Sequence, residues 1–314
     1  MDNNNHDHKE IEEEWKRIQN ELKQRHCETD RVDFIIPGTS ELPQTQPDSD
    51  ANSTITTSTA TTTTSTSTTQ STTETTTTTQ QQRPLRYVAG VDISFVKDNV
   101  EDACASIVIL ELPGLKVIHE EMMFVKLDLP YIPGFLAFRE CPSLIHLIEK
   151  VRTERPEIFP QVILVDGNGL LHPRAFGLAC QLGVLTDLPT IGIGKTFFCV
   201  DGMLTKQVKA DVAATCKQGG DHLLLRGDSG KVWGAAVISH SNSTNAIFVS
   251  IGHRLSLDSC LKVVAACTTT NRIPEPVRQA DLRSRDFIRI NYKPTAVAGE
   301  ASASTTIADA AVDD

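Results

Sequence analysis

Aromatic residues make up only 5% of this 314-residue chain, and no run of 18 apolar residues occurs in it. The missing run excludes a membrane-spanning helix of ordinary length. Paired cysteines are missing as well. The eight cysteines (Cys27, Cys104, Cys141, Cys180, Cys199, Cys216, Cys260 and Cys267) form no CxxC pair and no Cys/His ligand spacing. That excludes a thiolate metal site, and buried free thiols in a reducing compartment are expected instead. Met1 opens onto DNNNHDHKE, not onto a basic and then apolar signal. A soluble intracellular protein, cytoplasmic or nuclear, is the expectation, with no membrane partner.

Net positive charge is also absent: the total is −10. Such a balance ordinarily argues against a nucleic-acid partner, yet here the charge is uneven. Residues 1–83 carry 7 Lys and Arg against 14 Asp and Glu, whereas residues 84–294 carry 23 against 22. The last 20 residues, 295–314, hold four acids and no base. A near-neutral middle can still present a local basic surface.

Composition divides the chain further. Between Ser53 and Thr79, 23 of 27 residues are Ser or Thr. A segment with so little to bury cannot offset the entropy of ordering, so residues 38–83 are expected to be a disordered insertion. The acidic tail, 295–314, is expected to behave likewise. Upstream, in residues 1–37, Ile11, Trp15, Ile18 and Leu22 fall at spacings of four, three and four. They make one apolar stripe on a helix over about 9–25, which should dock back onto the globular part, 84–294, or else pair with a partner helix.

Within that part, RYVAGVDISFV, ACASIVILEL and KVIHEEMMFVKL predict three strands with short turns between them, hence an antiparallel meander. A helix over about 135–153, the strand QVILVD, the helix PRAFGLACQLGVLT and the buried strand TIGIG follow. After a less regular stretch come VWGAAVIS and AIFVSIG, a second hairpin, and two closing helices, LSLDSCLKVVAAC and PEPVRQADLRSRDFIRI. Meander first, then alternating helix and strand, predicts an α/β or α+β layer fold on a mixed sheet.

Carboxylates in unusual places are the main chemical signal. Asp92 lies inside one apolar strand and Asp166 ends another. An ionised carboxylate in such a setting is costly unless it is paired or bound to a metal. Asp166 could equally cap the turn that Gly167-Asn168-Gly169 begins, a reading that suits Asp92 poorly. Strand-end aspartates converging at one sheet edge supply the oxygen ligands that Mg²⁺ requires. Glu140 stands early in a helix, and Asp281 sits in a helix amid Arg278, Arg283, Arg285 and Arg289, as a metal ligand or as an ordinary ion-pair partner. The basic run from Arg272 to Lys293 is either a phosphate contact or a solvated face. GIGKT mimics a phosphate loop, but Pro189 stands where the Walker pattern requires Gly, so an ATPase is excluded. Lys195 can still aim one charge at a phosphate. Pro130-Tyr131-Ile132-Pro133-Gly134 is a rigid loop whose apolar tip either anchors to the core or wedges into a base stack.

These stretches resemble one family. VAGVDISFVK, PYIPGFLAFRE, LVDGNGLLHPRAFGLACQLGVLTDLPTIGIGK, GHRLSLDSC and RIPEPVRQAD, in that order, are similar to endonuclease V, as is the opening helix over Glu10–Arg25. The resemblance implies a ribonuclease H-like fold. It also implies a hydrolase that uses Mg²⁺, or Mn²⁺ in its place, and cuts RNA or DNA beside inosine or deoxyinosine. The second phosphodiester 3′ to the base would be cut, leaving 3′-OH and 5′-phosphate, in the manner of a DNA-repair or RNA-directed enzyme. By the same resemblance Asp92, Asp166, Glu140 and Asp281 hold the metal, and Lys195 and His172 line the cleavage site. Tyr131 is the wedge tip, with Ile132, Pro133, Arg139 and Gly167 also facing the nucleic acid. A monomer is expected. The Thr-rich insertion and Gly194, where a small Ala is expected, depart from the family pattern. A catalytically silent inosine-RNA binder and a junction-resolving nuclease of the same fold are the alternatives; the intact acidic set disfavours the first and Tyr131 the second.

Overall fold

Strand-forming residues between 87 and 126 carry the largest block of regular structure. β3 (Tyr87–Phe95), β4 (Asp102–Glu111) and β5 (Lys116–Lys126) form the expected antiparallel meander in a computed structural model of the chain. The structure describes residues 2–38, 83–99, 101–241, 243 and 245–293. The expectations for the Thr-rich segment and the acidic tail therefore lie outside the described residues. No helix among the described residues is long and apolar enough to cross a membrane.

The remaining elements, in chain order around that block, are α1 (Asp2–Lys23), β1 (Phe34–Ile35), β2 (Arg83–Pro84), α2 (Leu136–Glu154), β6 (Val162–Asp166), α3 (Leu178–Thr186), β7 (Thr190–Gly194), α4 (Thr205–Thr215), β8 (His222–Arg226), β9 (Val232–Val237), β10 (Ile247–His253), α5 (Leu257–Ala266) and α6 (Glu275–Asn291). β6 and β7 add to β3 in parallel, and β10, β9 and β8 continue antiparallel. The eight-stranded mixed sheet thus runs β5-β4-β3-β6-β7-β10-β9-β8. β1 and β2 make a separate two-stranded parallel ladder.

Period-two alternation sends the residues of β3 to two different layers. Ala89 and Val91 pack with Leu144, Ile148 and Leu182 beneath α2 and α3. Val88 points the other way, into a layer with Val263, Val277 and Ala280 of α5 and α6. By the same alternation Gly90 and Asp92 face α6. A side chain at Gly90 would meet the backbone: an added Cβ would lie 2.0 Å from the carbonyl oxygen of Pro276. Hydrogen therefore lets α6 rest directly on β3, and this close approach sets the distance between Asp92 and Asp281. Gly90→Ala is expected to cost about 1–3 kcal/mol or more, because the clashing atom is backbone and cannot rotate away. Thermal melting of the variant checks this, and an unchanged melting temperature would show that α6 shifts freely.

The striped helix α1 lies on the globular part. Trp15 is buried with Ile132 and Phe135, with Ile11 and Phe138 beside them. Its ring stacks on Phe138 at 4.8 Å and 3°. Leu22 packs on Phe176, Cys180 and Val184. Gln19 Nε2 donates to the carbonyl of Phe176 at 2.9 Å and Lys23 Nζ to that of Arg174 at 2.7 Å. The less regular stretch hides α4 and β8. In α4 only Val208 and Val212 are buried, too sparse a stripe to show periodicity. α3 begins at Leu178, five residues later than its apolar run predicts, because residues 173–177 form the loop that meets α1.

Candidate active site

Three carboxylates meet where β3, β6 and α6 come together. Asp92 sits two-thirds of the way along β3, Asp166 ends β6, and Asp281 lies on the α6 face above them. One oxygen from each falls within 4.8 Å of the other two. These hard donors fit a divalent cation such as Mg²⁺. Lys195, the residue after β7, inserts its ammonium into the same group, with Nζ 2.5 Å from Asp166 Oδ2 and 3.6 Å from Asp281 Oδ1. A cation at this point is what the three acids require, which supports the fit. Arg285 reaches Asp281 from one turn further along α6, at 2.8 Å.

Asp92 is the most constrained of the three. It is 7% exposed. Burial, and then the neighbouring Asp166, push its carboxyl up to about 7. Ser94 Oγ donates to its Oδ2 at 2.8 Å, and Ser284 Oγ approaches the same atom at 3.3 Å and Ser94 Oγ at 2.7 Å. Neither serine was singled out by the sequence reading. The signal was present as spacing: Ser94 follows Asp92 by two on one face of a strand, and Ser284 follows Asp281 by one helical turn.

Glu140, on α2, lines the same cleft but is not one of the three clustered ligands. Burial, with Asp92 and Asp166 nearby, raises its carboxyl to about 8. Burial alone would lower Lys195; its hydrogen bond to Asp166 and the charges of Asp166, Asp281 and Asp92 together outweigh that and leave the ammonium above its ordinary range. Since metal ligands must be deprotonated, protons and Mg²⁺ compete for these oxygens. The Mg²⁺-induced rise in melting temperature is therefore expected to be larger at pH 8 than at pH 5, with protons released on binding near pH 7. Equal rises at both pH values would contradict this. The sign follows from the upward shift: below about 7 Asp92 keeps its proton in the folded state, and above it the folded protein carries an uncompensated charge that a cation relieves.

The other expected residues are spread more widely. Tyr131, in the loop between β5 and α2, is 64% exposed. With Phe95, Leu129 and Arg139 it lines a hollow that adjoins the carboxylate cleft through Phe95, a half-exposed ring that the sequence reading passed over. Pro133 is exposed beside it, and Gly167 follows Asp166 with its N–H donated to Ile193. Ile132 is placed differently from the expectation. It is buried against Trp15 and Phe135 and is not at a tip, because α1 brings Trp15 over it and gives it apolar partners. Arg139 is only 7% exposed and donates to the carbonyl of Leu127 at 3.2 Å, so it backs the hollow and does not project from it. His172 is buried outside the residues that line the carboxylate cleft, with its ring 6.0 Å from Phe198. Burial, aided by Arg174, lowers it to about 4, so the imidazole is neutral at physiological pH.

Known proteins match this chain closely. The profile of the Endonuclease V family matches residues 68–282. Mouse Endonuclease V is 49% identical over 205 residues, covering 65% of this chain and 60% of the mouse protein. The human protein is 49% identical over the same length, covering 65% of this chain and 72% of its own. Thus the match spans somewhat under two thirds of the mouse relative. The crystal structure of the catalytic domain of human Endonuclease V superposes with a TM-score of 0.71 at 39% identity, covering 90% of this chain and 97% of that one. Endonuclease V of Ciona intestinalis, solved with a 23mer DNA containing an inosine followed by a ribo-adenosine, superposes at 0.69 with 29% identity, covering 90% and 98%. The sheet is accordingly of the ribonuclease H-like kind, and with the family profile spanning more than half of its length, this chain belongs to the Endonuclease V family.

Proposed function

We propose that this protein is a divalent-metal-dependent endonuclease that hydrolyses a phosphodiester 3′ to inosine or deoxyinosine in a single strand of RNA or DNA, leaving 3′-OH and 5′-phosphate. One observation carries the reading: Asp92, Asp166 and Asp281 converge from β3, β6 and α6 onto one point, with Lys195 among them. Asp92, Asp166 and Asp281 would hold Mg²⁺, and the bound ion would supply Lewis-acid chemistry for activating water and for stabilising charge on the leaving oxygen. The chain's own groups set the rest. Ser94 and Ser284 fix the orientation of Asp92. Lys195 brings a fixed positive charge to the cleft wall, where a phosphate is attracted. The exposed ring of Tyr131, beside Phe95, offers a face on which a displaced base can stack.

The test is direct. Purified protein with Mg²⁺ is incubated with matched inosine RNA, inosine DNA and adenosine controls; cleavage confined to inosine strands and abolished by chelation is expected. Equal cleavage of the adenosine controls, or none of any strand, overturns the reading. Tyr131→Ala is expected to weaken inosine-strand binding by roughly tenfold to a hundredfold, since stacking on one aromatic contributes about 1–3 kcal/mol. Tyr131→Phe, which keeps the ring, should stay close to wild type. A Tyr131→Ala protein that melts several degrees lower and loses inosine and adenosine binding together would make the residue a core anchor.

A further inference from the structure

Lys195 faces two spaces. One is the carboxylate cleft; the other is a cavity of about 620 Å³ on the far side, between α4 and the ends of β9 and β10. That volume lies within the range of small-molecule sites. Three cationic side chains line it, Lys209, Lys217 and Arg272, beside Lys195, whose ammonium is held by Asp166 and Asp281. Among the described residues no Asp or Glu lines the cavity, in a chain whose net charge is −10. Its floor is apolar, built by Val208, Val212, Ile238 and Phe248. Arg272 lines it too, with its guanidinium donating to the carbonyls of Lys195 and Ala246, the latter at 2.8 Å. The Nε–H of Arg272 is buried with no acceptor among the described residues.

This combination suits one ligand chemistry. A cavity that is cationic at the rim and apolar at the floor takes a group with an anionic end and a flat uncharged end, and a nucleotide is such a group. Continuity with the cleft through Lys195 narrows the source. A strand whose phosphate rests at Lys195 carries a neighbouring nucleotide on either side of it, and this cavity is the adjoining space that Lys195 also lines. We infer that this cavity is a strand subsite, which receives one neighbouring nucleotide with its base on the Val208–Val212 floor and its phosphate against Lys209 and Lys217. The inference rests on the nuclease reading and extends it. Recognition here is by charge and apolar contact, so the subsite lengthens the footprint on the strand without reading its sequence.

Lys209 and Lys217 are exposed, so their removal leaves the core intact. Lys206, exposed on the same helix but outside the cavity lining, supplies the control for general charge. The probes are inosine oligonucleotides, one long and others trimmed stepwise from either end. For the wild type, kcat/KM should fall sharply at one trimming step. In Lys209→Ala/Lys217→Ala the advantage of the long strand over the trimmed one should shrink by about tenfold, and the slope of log affinity against log salt should ease by about 0.7, the amount for one lost phosphate contact. Lys206→Ala should keep both the length advantage and the slope. A double variant with the wild-type length advantage, or a Lys206→Ala effect of equal size, overturns the subsite while the nuclease reading stands. A wild type that cuts no inosine strand overturns both.

Discussion

Replacing Asp92 or Asp166 with alanine is expected to abolish strand cleavage without unfolding the protein. Each substitution removes one of three oxygens that lie within 4.8 Å of one another, so a cation held by the remaining two binds more weakly and is less firmly positioned. Even residues that merely support a metal ligand cost about 10–100-fold when lost, so loss of a ligand itself should reach on the order of 10³-fold or more. Stability should move the other way. In the metal-free protein the buried Asp92 carboxyl is forced up to about 7 by burial and by Asp166, so it opposes folding at pH 8. Asp92→Asn, which keeps the shape and removes the charge, should therefore melt at or above wild type at pH 8 without metal and lose the Mg²⁺-induced rise. Either variant cutting at a near wild-type rate with Mg²⁺ would remove these residues from the site.

Deleting residues 1–30 is expected to cost more stability than any single core substitution. Trp15 alone, buried against Ile132 and Phe135 and stacked on Phe138, corresponds to about 3–5 kcal/mol on truncation to alanine. The deletion also unpicks polar stitching further on. His26 Nε2 meets the carbonyl of Gly252 at 2.6 Å, and the N–H of Arg254 donates to the carbonyl of Cys27 at 2.8 Å. Asp30 accepts from the N–H of Ser256 at 2.7 Å and from Ser259 Oγ at 2.8 Å, at the start of α5. Melting of full-length protein beside Trp15→Ala and the deletion measures both contributions. Equal melting temperatures for all three would mean that α1 contributes nothing to the fold.

Much of this was legible in the chain itself, for identifiable reasons. The meander announced itself through long β-branched runs with short turns, and α1 through its four-residue stripe. Asp92 was legible because an acid in the middle of an apolar strand is costly. Other features leave no local trace. The inward turn of Ile132 depends on Trp15, more than a hundred residues away. The burial of Arg139 and His172 depends on how α2 and the loop after β6 settle. The pairing of Lys195 with Asp166 arises only because β6 and β7 lie side by side in parallel. α4 and β8 escaped because each buries very few residues.

The order in which the carboxylates occur along the chain has a consequence during synthesis. Asp92 belongs to the first long strand and Asp281 to the last helix, and the two meet only because α6 settles back onto β3 at Gly90. A growing chain can complete the meander, and even most of the sheet, before α6 has been synthesised. The cluster is therefore assembled only once α6 has been made. A product truncated before Glu275 holds two of the three acids and no α6, and so lacks the complete cluster.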